Sequence, residues 1–188
     1  RMLKSKNDDM KLFISSGLGG MSGAQPKAAK IAGLISVTAE VNKKAIKKRF
    51  EQGWIDEIVT NLNTLVHRIK YAKKTKLPLA IGFYGNIIDV WEKLYKESIF
   101  VDIGSDQSSL HNPFQGGYYP NQITFQEAEK LIKNDPSQFK KIVQKALKKH
   151  VNIINKHVKK GTYFFDYGNA FLLEAGRAKA DIFKSDGT

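Results

Sequence analysis

Ser16-Gly17-Leu18-Gly19-Gly20-Met21-Ser22-Gly23-Ala24-Gln25 follows the short apolar run Leu12-Phe13-Ile14 and leads into Ala28, Ala29, Ile31 and Ala32 at helical spacing. The pattern reads as strand, glycine turn, helix. Glycine lets a backbone approach a pyrophosphate closely, and the following helix directs unpaired N–H groups and the positive end of its dipole at the phosphates. A dinucleotide fold then places a carboxylate at the end of the second strand, where it holds the ribose hydroxyls. Glu40 stands twenty residues after Gly20, at the end of a second apolar run, Ile35-Ser36-Val37-Thr38-Ala39. An acid at that spacing favours NAD+ over NADP+. Gly17-x-Gly19 begins the G-x-G-x-x-G pattern, with Ser22 in the sixth position. Taken alone these glycines read equally well as a flexible loop; the strand, the helix and the acid together point to a nucleotide.

The rest of the chain continues the alternation. Asn42 is a candidate N-cap for a basic helical stretch reaching Gln52, with Gly53 as its stop. Trp54, Ile55, Ile58, Val59, Leu62, Leu65, Val66 and Ile69 follow helical spacing and predict one long helix. Leu77 to Phe83 reads as a third strand, with Pro78 tolerated near its start. Tyr84-Gly85-Asn86 turns the chain into a helix through Trp91 and Leu94, and Phe100 to Ile103 reads as a fourth strand. Strands alternating with helices predict an α/β domain with parallel strands joined by crossovers. From Gly104 to Gln122 a polar loop gathers Asp106, Gln107, Ser108, Ser109, His111, Tyr118 and Tyr119. Thr124 with Glu127 forms a capping box, Asp135-Pro136 opens a long amphipathic helix, and Thr162 to Phe165 is a last strand. It ends in a further polar turn, Asp166-Tyr167-Gly168-Asn169. Four strand ends therefore carry Gly or Asn turns, and one cleft at the carboxyl edge of a sheet accounts for them together.

Composition limits the function classes. The chain of 188 residues is 41% apolar and 26% charged, enough for one domain with a proper core, residues 1–188, and no apolar run approaches the ~20 residues of a membrane span. The polar start, Arg1 to Met10, has no apolar secretory core, so a cytoplasmic setting is expected. With zero Cys there are no disulfides, thiolate metal sites or cysteine nucleophile, and His111 has no ligand-spaced neighbour for a metal. The net charge of +13 makes a polyanion such as nucleic acid the rival partner. The lysines between Lys140 and Lys160, however, alternate with apolar residues three or four apart, as a solvated helix face does. No aromatic residues are interleaved there for base stacking, so no nucleic-acid partner is expected.

Three motifs carry a resemblance. Gly17 to Gln25, the stretch Gly104-Ser105-Asp106-Gln107-Ser108-Ser109-Leu110-His111-Asn112-Pro113-Phe114-Gln115-Gly116-Gly117-Tyr118-Tyr119-Pro120, and Phe165 to Asn169 are similar to the central domain of urocanase, urocanate hydratase, over roughly Lys11 to Ala180. The resemblance implies an NAD+-binding, Rossmann-like domain: an open, mainly parallel sheet with helices on both faces, excised from a longer enzyme. That enzyme is a hydro-lyase of histidine degradation, converting urocanate to imidazolonepropionate with NAD+ as an electrophile, and as a homodimer when complete. By motif, Gly20, Met21 and Ser22 would form the pyrophosphate turn and Glu40 would hold the ribose. Asn86, Ile87, Gln107, Ser108, Ser109, Leu110, His111, Tyr118, Tyr119 and Tyr167 would line the cofactor. Two positions depart from the bacterial-type pattern: Ala45 stands where that branch has an arginine, leaving Lys43 or Lys44 to serve, and Ser22 replaces a glycine. The family's essential cysteine has no counterpart here, so the chain by itself carries no catalytic residue and is expected to be inactive without the remaining urocanase domains.

Overall fold

The computed structural model describes Met10 to Ile182, apart from Met21, Gln107, Ser109, Tyr167 and Asn169. Among the described residues six strands and seven α-helices follow in the order β1 (Leu12–Ser16), α1 (Gln25–Ile31), β2 (Ile35–Glu40), α2 (Lys43–Glu51), β3 (Glu57–Val59), α3 (Leu62–Thr75), β4 (Leu79–Tyr84), α4 (Ile87–Lys96), β5 (Ile103–Asp106), α5 (Phe125–Asn134), α6 (Pro136–Val158), β6 (Tyr163–Asp166) and α7 (Phe171–Arg177). They form one sheet in the order β3-β4-β2-β1-β5-β6. Every pairing among them is parallel, so all the strands deliver their carboxyl ends to the same edge.

Side-chain alternation divides the sheet into a thick face and a thin one. Leu12 and Ile14, Ile35 and Val37, and Leu79 and Ile81 point into the main core, where Leu65, Ile69, Trp91, Leu94, Phe139 and Val143 from the helices cover them. On the other face the paired positions are small: Ser36 lies beside Ala80 and Thr38 beside Gly82. A Cβ at Gly82 would come within 2.4 Å of Ile55 Cδ1, so the missing side chain is what lets Ile55 and Ile46 seat against the sheet. Leu18, Ile46, Ile55 and Ala80 form the small core of this thin face. Helices thus cover both faces, but only one carries most of the apolar burial that drives folding.

Several helix starts follow from local chemistry. The Asn42 side chain accepts from the Lys44 and Ala45 amides, the Thr124 and Glu127 capping box closes on α5, and Asp135 caps α6 just before Pro136. Among the described residues no helix is long and apolar enough to cross a membrane.

The structure corrects two sequence expectations. The single helix predicted from Trp54 is broken: Gly53 ends α2 at φ +66°, and β3 then pairs with β4. Asp56 fixes this pairing by donating its N–H to the Ala80 carbonyl and accepting the Ala80 N–H on Oδ2. Ile58 and Val59 suit either period, and the Asn61 side chain, accepting from Asn63 and Thr64, restarts the helix at Leu62. The strand expected at Phe100 to Ile103 begins instead at Ile103 and runs through Gly104, Ser105 and Asp106. Phe100 remains exposed, while the Asp102 carboxylate accepts the Leu12 N–H and stitches the chain to β1 before the strand begins.

Candidate functional site

A cavity of 220 Å³ opens at the carboxyl edge of the sheet. Its walls are the turn after β1, the end of β2 with the start of α2, the Gly85-Asn86-Ile87 turn after β4, and Ser108 with Gly116 to Tyr119 of the loop after β5. Enclosing pockets for drug-sized ligands run to roughly 300–1,000 Å³. A cleft of this size would leave part of any longer ligand exposed.

The turn after β1 is a tight piece of backbone. Gly17 takes φ +85°, which favours glycine, and donates its N–H to the Ala39 carbonyl at 2.9 Å. This ties the turn to the end of β2. A Cβ on Gly20 would meet nothing within 4 Å, and one on Gly19 would reach only Ser22 Oγ at 4.0 Å. No side chain caps the helix that follows.

Glu40 closes the same corner. Its Oε2 accepts the Leu18 N–H at 2.7 Å and its Oε1 accepts the Asn42 N–H at 2.8 Å. Burial lifts its carboxyl above the usual range, against the opposing pull of hydrogen bonds from the Leu18, Asn42 and Val41 amides. Each carboxylate oxygen keeps acceptor capacity for a further donor. Asn86 joins two walls: its Oδ1 accepts the Ile88 N–H and caps α4, while its Nδ2 donates to the Tyr119 carbonyl at 2.7 Å.

Beneath the loop after β5 lies a buried anion. Asp106 is only 1% exposed, accepting the Ser16 hydroxyl at 2.7 Å and the Ser108 N–H at 2.8 Å. Burial pushes its carboxyl up to about 6, despite the hydrogen bonds from Ser16 and Ser108, and the neighbouring Asp166 adds to the rise. Tyr118 is buried next to it, its hydroxyl 3.3 Å from His150 Nδ1. Burial alone lowers His150 to about 3, so this imidazole is neutral, with Nε2 unpartnered. The Tyr119 hydroxyl reaches outward and donates to Glu129 Oε1 at 2.6 Å.

Of the residues expected in the site, Ser22, Glu40, Asn86, Ile87, Ser108, Tyr118 and Tyr119 line this cavity together. Gly20 sits exposed on the adjoining turn. Leu110 is fully buried in the main core, and His111 is exposed and lines no part of the cavity. Met21, Gln107, Ser109 and Tyr167 lie outside the described residues. The sequence reading passed over Ser16, whose signal was a serine ending a strand just before the glycine turn. It also passed over the burial of Asp106, which the placing of β5 between β1 and β6 creates.

The profile of the urocanase Rossmann-like domain matches residues 1–187. The chain is 50% identical over 189 residues to urocanate hydratase of Mus musculus, covering 98% of this chain and 28% of that protein. It is 54% identical over 175 residues to the probable urocanate hydratase of Dictyostelium discoideum, covering 93% and 26%. Urocanate hydratase of Homo sapiens is 50% identical over 179 residues, with coverages of 93% and 26%. The chain thus spans about a quarter of the length of these curated relatives.

Proposed function

The chain belongs to the urocanase family, and from that premise we propose that it is the NAD+-binding domain of a urocanate hydratase. The reading rests chiefly on one juxtaposition: the Glu40 carboxylate and the turn residues Gly17, Gly19 and Ser22 meet at one cavity. The glycine turn cradles the pyrophosphate with its backbone amides, and Glu40 accepts the adenosine ribose hydroxyls on its remaining lone pairs. Ala45 leaves room beside Glu40 where a longer side chain would intrude, and the exposed Lys43 and Lys44 stand at the start of the same helix. Asn86, tied to Tyr119, keeps the loop after β5 against the far side of the cofactor.

When bound, NAD+ supplies an electrophilic nicotinamide ring for bonding to the imidazole of urocanate. This chain's part is to bind and orient that cofactor. Its 188 residues contain no cysteine, so hydration of urocanate requires the thiol that the rest of the enzyme provides, and these residues alone are expected to show no hydratase activity. Calorimetric titration with NAD+ at two salt concentrations tests the reading. Saturable binding that survives the higher salt, weakened by ~1–3 kcal/mol in Glu40→Ala, is the expected result. Binding that collapses with salt and extends equally to oligonucleotides would favour the polyanion reading that the charge of +13 allows.

A further inference from the structure

Arg49 lies in the last turn of α2, is only 6% exposed, and reaches back under the glycine turn. Its Nε donates to the Leu18 carbonyl at 2.9 Å, and its Nη2 donates to the Gly19 carbonyl. Nη1 donates to Gln52 Oε1 at 2.7 Å, and the guanidinium lies 4.5 Å from the centre of the Trp54 ring. None of the ion pairs among the described residues includes it. A buried cation normally has an anionic partner, because burial without one is costly. The partners recorded for this guanidinium are carbonyls, an amide and an indole.

The peptide geometry gives those contacts a direction. In a trans peptide the carbonyl of one residue and the N–H of the next point opposite ways, and no peptide bond among the described residues is cis. Holding the Leu18 and Gly19 carbonyls toward α2 therefore turns the Gly19 and Gly20 N–H groups away from it; a Cβ on Gly20 would meet nothing within 4 Å beyond its chain neighbours. The sequence makes room for the arrangement at Gly23, where a Cβ would stand 2.1 Å from Arg49 Nε. Any larger residue at that position would displace the guanidinium.

We infer that Arg49 is the positioning residue of the pyrophosphate turn: its buried guanidinium aims the Gly19 and Gly20 amides outward, and its unanswered positive charge is completed by the diphosphate of the ligand. The inference deepens the NAD+ reading and rests on it for the identity of the ligand, although the anion site itself is a property of the turn. One helical turn beyond Ala45, Arg49 gives α2 a cation that acts through the backbone.

The test compares wild type, Arg49→Met, Arg49→Lys and Gly23→Ala by NAD+ titration and by amide resonances of Gly19 and Gly20 during titration with inorganic pyrophosphate. Arg49→Met is expected to bind NAD+ ~10–100-fold more weakly, the loss of charge-assisted hydrogen bonds, and to lose the pyrophosphate response at Gly19 and Gly20 while the rest of its amide spectrum is preserved. Arg49→Lys retains the charge without the two-carbonyl bridge and recovers part of the affinity. Gly23→Ala, which retains the arginine but displaces its guanidinium, weakens NAD+ binding as Arg49→Met does, and decides the matter if Arg49→Met does not fold. Wild-type affinity in Arg49→Met or Gly23→Ala overturns the inference and leaves the NAD+ reading intact. Should wild type bind no NAD+ yet show a pyrophosphate response that Arg49→Met lacks, the anion site stands and the NAD+ reading falls. No response of wild type to either probe overturns both.

Discussion

The turn after β1 and the loop after β5 face each other across one cleft, and each is held down by a buried charge of opposite sign. Arg49 grips the first through two backbone carbonyls. Asp106 grips the second through the Ser108 N–H and reaches across to the Ser16 hydroxyl at the base of the first. A cation behind a turn directs N–H groups outward, whereas an anion behind a loop draws N–H groups inward. On the proposed reading the first segment is the one that receives the phosphates, although both are rich in small polar residues. A guanidinium also keeps its charge at any working pH, while a carboxyl pushed up to about 6 does not.

The comparison breaks most completely if the anion is removed. Asp106→Leu strands the buried Ser16 hydroxyl and Ser108 N–H and is expected to destabilise the fold by about 3 kcal/mol, measured by urea denaturation. Asp106→Asn sharpens the comparison by removing only the charge. The native Asp106 holds its proton up to about 6, against an ordinary 3.8. The native state therefore binds more protons than the unfolded chain in that window, and this group's contribution to stability falls by about 1.4 kcal/mol per pH unit as pH rises through it. His150 acts in the opposite sense: lowered from 6.5 to about 3, it remains neutral where the unfolded chain takes up a proton, so its contribution falls as pH drops through that range. Between about pH 4 and 6 the two slopes cancel. Asp106→Asn should uncover a steeper acid loss over that range, and His150→Phe should uncover the reverse; parallel stability curves for both variants and wild type would refute the opposition.

The smallest effects are expected where charge is plentiful but solvated. Lys145→Gln and Lys148→Gln, both on the exposed face of α6, should each change stability by no more than about 0.5 kcal/mol and leave NAD+ affinity unchanged. A clear loss of affinity in either would mean that the positive charge serving the cleft is spread over the surface and not concentrated in Arg49.

What could be read from the sequence was what neighbours in the chain decide. Asn42, Asn86, Thr124 with Glu127, and Asp135 with Pro136 each fix a helix start within a few residues, and each was legible. So was Glu40 at the end of β2, because the spacing of a βαβ unit puts it there. β3 escaped because Ile58 and Val59 fit a helical period, and only the pairing of Asp56 with Ala80 selects the strand. β5 was displaced because Gly104, Ser105 and Asp106 look like loop residues until Ser16, ninety positions away, supplies a partner for the carboxylate. Arg49 read as one more cation on a basic helix, since nothing near it in the chain announces the carbonyls of Leu18 and Gly19. Leu110 and His111, adjacent in one motif, were treated alike, whereas one is core and the other is exposed.

The hydrogen bond between Ser16 and Asp106 has a kinetic consequence. Its two ends are separated by ninety residues, and closing a loop of that length carries an entropic cost that few local contacts offset until β2, β4 and their helices have already assembled beside β1. The floor of the cleft is accordingly expected to be among the last parts of the domain to form on refolding. A chain caught earlier would hold β2, β4 and their helices, yet have no place for a ligand.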